Sequence, residues 1–145
     1  MLTIFNTETR QKELFKPLQE GHIKMYVCGM TVYDYCHIGH SRVLVSFDVI
    51  TRYLRARGYQ VEYVRNITDI DDKNIDRASK LNIPISELTR QTIIDYNNDM
   101  HYLGCLKPTK EPKATEHISQ MIDIIQRLLN LGVAYESNQH VYFNV

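Results

Sequence analysis

The densest run of chemistry-bearing side chains is His37-Ile38-Gly39-His40, a short loop downstream of Cys28-Gly29-Met30-Thr31. Two imidazoles flanking a glycine suit an anion, because each ring offers an N–H donor and a helix starting there adds unpaired amides and the positive end of its dipole. Gly39 would let a flat ligand approach the backbone while the imidazoles donate to phosphoryl oxygens. The same histidines serve equally well as caps on a polar helix end. A second run, Asn66-Ile67-Thr68-Asp69-Ile70-Asp71-Asp72-Lys73, gathers three carboxylates. They suit a cation or an ammonium group, or else they cap a helix and pair with Lys73 or Arg77.

Positioning these runs requires a definite order of elements. Residues 24–27 are mostly apolar and aromatic and stop at Gly29, the pattern of a buried strand ending in a turn; residues 3–5 make a further small strand in the lead-in. From Ser41 onward Val43, Phe47, Ile50 and Leu54 recur at helical spacing, Arg52, Arg55 and Arg57 gather where cations suit the dipole, and Gly58 supplies a stop. Val61, Tyr63 and Val64 then predict a strand over Gln60–Arg65. Strand, loop, helix, strand is a βαβ unit with a parallel pair, which makes an α/β nucleotide-binding fold the leading class and puts the acidic run at the carboxyl edge of its sheet.

Downstream, a helix is predicted over Asp72–Leu81 and ends before Pro84. Ser86 is expected to cap a helix carrying Leu88, Ile93, Ile94 and Tyr96 that closes near Gly104, and residues 107–113, with two prolines, read as a linker. Thr115 is expected to cap a last helix whose Ile118, Met121, Ile122, Ile125, Leu128 and Leu129 form an apolar face, a core element or an interface. Two short strands, 133–136 and 141–143, follow around a turn at 137–139.

Composition bounds the rest. The 145 residues include 17 Lys+Arg against 17 Asp+Glu, a net charge of +0, and 43% are hydrophobic, enough for one core and too few for two large domains. Nothing attracts nucleic acid or anionic lipid globally, so any polyanion contact must be local. No apolar run is long enough to span a bilayer and residues 1–10 lack a basic start followed by an apolar stretch, so a soluble chain is expected. Cys28, Cys36 and Cys105 show no C-x-x-C spacing, which suits a reducing compartment, and Cys36 and Cys105 are taken as structural. Arg42, Arg52, Arg55 and Arg57 read as a solvated helix flank, and His101, His117 and His140 carry no constellation.

The stretch from Met25-Tyr26-Val27-Cys28-Gly29 through His40, with the run 66–73, resembles cysteinyl-tRNA synthetase. His37-Ile38-Gly39-His40 is similar to the HIGH signature of class I aminoacyl-tRNA synthetases, a cysteine directly ahead of Gly29 narrows the family, and residues 108–118 are similar to its segment leading into a connecting insertion. The resemblance implies an incomplete Rossmann-like, HUP-type catalytic domain, with its first half at 1–107 and a linker and the start of the insertion at 108–145. It implies a ligase that activates cysteine with ATP, carried with magnesium, and transfers it to tRNA. His37 and His40 would be catalytic; Gly29, Thr31, His37, Gly39 and His40 would bind ATP; and Cys28, Gly29, Thr31 and Thr68 would bind cysteine, Thr68 at its amino group. Cys28 would be one ligand of a zinc ion that holds the substrate thiol, the other ligands lying beyond Val145. No catalytic role falls to Asp69, Asp71 or Asp72, and a tRNA contact is only the lesser alternative to a solvated flank for the arginines.

The resemblance also implies a cytoplasmic enzyme, monomeric when intact, without membrane contact. A Lys-Met-Ser-Lys-Ser-like loop and an anticodon-binding region lie outside these residues. Little activity is therefore expected of them alone, and an exposed sheet edge and uncovered apolar face should make them marginally stable or self-associating. Two other readings are a ligase that passes activated cysteine to a small-molecule amine and a non-catalytic RNA-binding or interaction module derived from a synthetase.

Overall fold

A computed structural model describes residues 2–145. The described residues form two compact units, the first from residues 2–28, Cys36–Arg65 and Asn97–Lys110, the second from Gly29–Tyr35, Asn66–Tyr96 and Glu111–Val145.

In the first unit, β1 (Thr3–Asn6) pairs antiparallel with β2 (Gln11–Leu14), and β3 (His22–Val27) pairs parallel with β4 (Gln60–Arg65) through the crossover helix α1 (Ile38–Ala56). The predicted βαβ unit is present, with Ile23 opposite Val61 and Met25 opposite Tyr63. Parallel strands need such a crossover, and α1 returns its Leu54 onto Ile23, Val27, Val61 and Tyr63, with Phe15, Phe47 and Tyr59 packed around them. Gly58, at φ +90, makes the turn out of α1 in a region that L side chains avoid. Strand β2 has no sequence counterpart above, because its Gln-Lys-Glu-Leu is largely exposed and lacks an apolar alternation.

Two features of this unit depart from expectation. Residues 107–110 are not a free linker: Thr109 N–H donates to Tyr63 O, Tyr63 N–H to Thr109 Oγ1 at 3.0 Å, and Arg65 N–H to Lys110 O at 3.1 Å. The β4 edge is therefore met by extended chain, which the prolines limit to isolated bridges because they lack an N–H. Arg52 is also more than a solvated cation. It donates to Asp48 Oδ2 at 2.7 Å and to Gly104 O at 2.9 Å, while Asp48 Oδ1 accepts Leu106 N–H at 2.8 Å. Burial alone would raise the Asp48 pKa, but these hydrogen bonds outweigh it and hold the carboxyl below its usual range.

The second unit holds α2 (Asp72–Leu81), a 3-10 turn (Ala114–His117), α4 (Ile118–Asn130) and the hairpin β5 (Ala134–Ser137) with β6 (His140–Phe143); α3 (Ile85–Tyr102) gives residues to both units. Helix α2 has the predicted bounds. It is capped by Asp71 and closed by Asn82 in the left-handed region at φ 52. Ser86 does not cap α3: the carbonyl of Pro84 accepts Glu87 N–H and Leu88 N–H, so the helix starts at Ile85, and proline at a helix start loses no bond. Thr115 does not cap α4 either, for it lies inside the 3-10 turn with its hydroxyl turned to Asp69. Helix α4 buries no residue, and Ile118, Met121, Ile122, Ile124 and Ile125 are all exposed, so its stripe is no core element here. The hairpin turn is Asn138-Gln139, both at positive φ, the geometry that matches strand twist in a two-residue connection.

Candidate functional site

The histidine run begins α1. His37 is its N-cap, with Nδ1 accepting Gly39 N–H at 3.1 Å, and His40 Nδ1 accepts His37 N–H at 3.3 Å. This is a capping box made of two imidazoles, their rings stacked with centroids 3.9 Å apart and planes 24° apart. The capping reading of the pair is met, and it leaves the phosphate reading compatible with the geometry, because capping consumes only Nδ1. A neutral imidazole that accepts at Nδ1 carries its proton on Nε2, so each ring keeps one N–H donor for a ligand. Burial, then the neighbouring His37, lowers the His40 pKa and favours this neutral form.

The structure shows a reason for Gly39 besides the one its sequence position suggests. A Cβ there would meet His37 Cε1 at 2.9 Å and Nδ1 at 3.0 Å, so the absent side chain makes room for the capping ring. Cys28 follows β3 and is exposed. Cys36 is half-buried, and burial with the nearby Asp99 pushes its thiol up to about 11; burial, then Asp48, also raises Cys105. Neither is a thiolate at neutral pH, which agrees with their structural reading.

Gly29, Thr31 and Thr68 meet in the second unit. Residues 30–32 run beside Thr68 as a short parallel ladder: Thr68 N–H donates to Met30 O at 3.2 Å, Val32 N–H donates to Thr68 O at 3.1 Å, and Thr31 and Thr68 are bridge partners. Asn66 links the pieces, its Oδ1 accepting Gly29 N–H at 2.7 Å and its Nδ2 donating to Thr68 Oγ1 at 3.2 Å. Below lies Asn74, fully buried, whose Nδ2 donates to the carbonyl of the equally buried Val32 at 3.2 Å. Sequence reasoning singled out neither Asn66 nor Asn74, which the structure places against Gly29, Thr68 and Val32. Asn66 reaches Gly29 across 37 positions and Asn74 reaches Val32 across 42, separations that no local pattern displays.

The acidic run resolves into structural parts. Asp69, only 6% exposed, accepts the N–H and hydroxyl of Thr115 at 3.0 and 2.6 Å; Asp71 caps α2 by accepting Lys73 N–H; Asp72 sits in the first turn of α2. The expected ion pairs are replaced: Arg77 lies 3.5 Å from Asp34, and Lys73 stands over the Tyr33 ring. Among the described residues no three His, Cys, Asp or Glu gather to hold a metal. A zinc site therefore does not fit these residues by themselves, which offer Cys28 alone. A cleft of about 570 Å³ in the second unit, lined by Ile70, Ile85, Ile93, Ile94, Arg90 and Lys113 among others, contains none of the predicted site residues.

The βαβ unit with a phosphate-suited helix start at its crossover defines a class of protein, and comparison with solved structures agrees. The chain superposes on Mycobacterium tuberculosis methionyl-tRNA synthetase in complex with methionyl-adenylate with a TM-score of 0.68 over 77% of this chain and 23% of that one, at 20% identity. On the ternary LeuRS–tRNA–LeuAMS complex of Agrobacterium radiobacter K84 the TM-score is 0.69 over 83% of this chain and 16% of that one, at 23% identity. The fold is the Rossmann-like α/β fold of class I synthetases, in part. Residues 14–145 match the class I tRNA synthetase (C) catalytic domain, and the chain belongs to that family. Relatives named cysteine-tRNA ligase are 54% identical in Chromohalobacter salexigens, over 99% of this chain and 32% of the relative, and 56% identical in Hahella chejuensis, over 100% and 31%. One from Acinetobacter baumannii is 57% identical over 98% of this chain and 30% of its own length. The chain spans about a third of the length of the curated relatives it matches.

Proposed function

We propose that these residues form the first part of the adenylation site of a cysteine-tRNA ligase. The reaction joins cysteine to ATP: a carboxylate oxygen attacks the α-phosphorus, the bond to the bridging oxygen breaks, and pyrophosphate leaves before the aminoacyl group passes to tRNA. Such a step needs positioning and donors aimed at developing negative charge more than covalent help from the protein. The interlocked His37–His40 pair carries the reading, since the capping box holds both rings in the tautomer that keeps Nε2–H for phosphoryl oxygens. The amides at the start of α1 add to the same field.

Gly29, Thr31 and Thr68 line the amino-acid pocket in this reading, supported by the ladder that pairs the two threonines. Gly29 contributes its lack of a side chain, its N–H being given to Asn66. ATP arrives as its magnesium complex. In this reading Cys28 would be one ligand of a zinc ion that holds the thiol of the substrate, the other ligands not being among these residues. In this reading the protein works in the cytoplasm, where it would charge tRNA.

The test is cysteine-dependent exchange of pyrophosphate into ATP, followed by transfer to tRNA, using the intact protein that carries these residues. Exchange and transfer, both lost on His37→Ala and His40→Ala, are the expected result. Exchange with transfer only to a small amine would replace tRNA as the acceptor, and binding of RNA unchanged by both substitutions without any exchange would overturn the enzymatic reading.

A further inference from the structure

The hydrogen bonds around Asn66 have a direction that can be read without seeing a proton. Gly29 N–H can only donate, so the Asn66 atom facing it at 2.7 Å is the carbonyl oxygen. That fixes the carboxamide, and the atom facing Thr68 Oγ1 at 3.2 Å is then the NH2 group, which can only donate. Thr68 Oγ1 is therefore an acceptor toward Asn66. Its single proton points elsewhere, and a hydroxyl that accepts one hydrogen bond is polarised to donate the next more strongly. Thr68 is half-buried, its backbone is held on both sides by Met30 and Val32, and its hydroxyl oxygen is held by Asn66 Nδ2, so its proton is turned away from Asn66.

We propose that Asn66 is a positioning residue that sets the Thr68 hydroxyl as a proton donor to a carboxylate oxygen of the bound amino acid, rather than as the seat of its ammonium group. The inference rests on the amino-acid pocket proposed above and deepens it, because it changes which end of the substrate Thr68 reads. An oxygen held there is the carboxylate that must be aimed at phosphorus, so the contact orients the nucleophile. Asn74 supports the same geometry one step further back by holding the Val32 carbonyl.

Cysteamine separates the two ends of the substrate, since it has the thiol and the ammonium group of cysteine and no carboxylate. Binding of cysteine and of cysteamine to the intact protein is measured by calorimetry for wild type, Thr68→Val, Thr68→Ser, Asn66→Asp and the Asn66→Asp/Thr68→Val pair. Thr68→Val is expected to weaken cysteine about tenfold, the effect of one hydrogen bond to a charged group, and to leave cysteamine unchanged, while Thr68→Ser restores cysteine. Asn66→Asp keeps an acceptor for Gly29 N–H but takes the Thr68 proton for itself, so it weakens cysteine, and much less so once Thr68 is valine. Equal weakening of cysteine and cysteamine in Thr68→Val, or an Asn66→Asp effect that is undiminished in the valine background, overturns the inference and leaves the ligase reading standing. Cysteine binding with this pattern but without pyrophosphate exchange overturns the ligase reading and leaves the inference. A wild-type protein that binds no cysteine removes both.

Discussion

Replacing Gly39 by alanine should separate the two roles of the histidine pair. The added Cβ would stand 2.9 Å from His37 Cε1 and 3.0 Å from its Nδ1, closer than side-chain contacts allow, so the ring must swing out of its stack on His40. The cap from His37 Nδ1 to Gly39 N–H then breaks, at a cost of about 1 kcal/mol. Alanine in place of glycine inside a helix returns about 0.8–1 kcal/mol, so the two effects nearly cancel. Melting of this chain should shift by less than about 4 °C. Activity has no such compensation. Moving one aimed donor away from developing charge costs about 10²–10³ in rate, which cysteine-dependent pyrophosphate exchange in the intact protein would read. An exchange rate within about threefold of wild type would refute the claim that the ring position matters to the chemistry. A loss of stability much above 1 kcal/mol, measured by denaturant titration, would show instead that the cap was holding up the helix.

The His40 imidazole, whose pKa lies below the usual 6.5, binds fewer protons folded than unfolded, so its neutral form contributes stability that is full above pH 6.5 and lost as pH falls below it. Melting temperature between pH 7.5 and 5.5 should accordingly fall less in His40→Gln than in wild type, an equal fall removing this linkage. Asp69→Ala leaves two Thr115 donors without their carboxylate and should cost about 2–3 kcal/mol in urea titration, whereas Ser86→Ala, outside any cap, should cost under about 0.5 kcal/mol. Alkylation at pH 8 followed by peptide mass mapping should label exposed Cys28 well before Cys36, whose thiol is held near 11, or Cys105; rapid labelling of Cys36 in folded protein would contradict its burial.

The sequence by itself determined the elements whose causes are local. Strand β4 and helix α2 have their predicted limits, the βαβ order is as expected, and the hairpin near the end sits where its turn residues put it. Side-chain periodicity, proline and helix-stop residues act within a few positions, so one sequence displays them. That the histidines of the His37-Ile38-Gly39-His40 run can cap a helix was legible for the same reason, since a capping box closes over three residues.

Tertiary structure decided what depends on partners far along the chain. Thr109 and Lys110 close on β4 across more than forty positions, which turned an expected linker into edge cover, and Asp69 reaches Thr115 at a separation of 46, which made a possible ligand into a clasp. Asn66 joins Gly29 to Thr68 over 37 and 2 positions, and the reason for Gly39 became visible only once the His37 ring had a place. A polar side chain announces that it needs partners, but not which ones, because hydrogen bonding is satisfied by whatever the folded backbone brings within about 3 Å. Local pattern thus set which elements form and which residues are candidates for chemistry, while the partner of each polar side chain was set by contacts that exist only after folding.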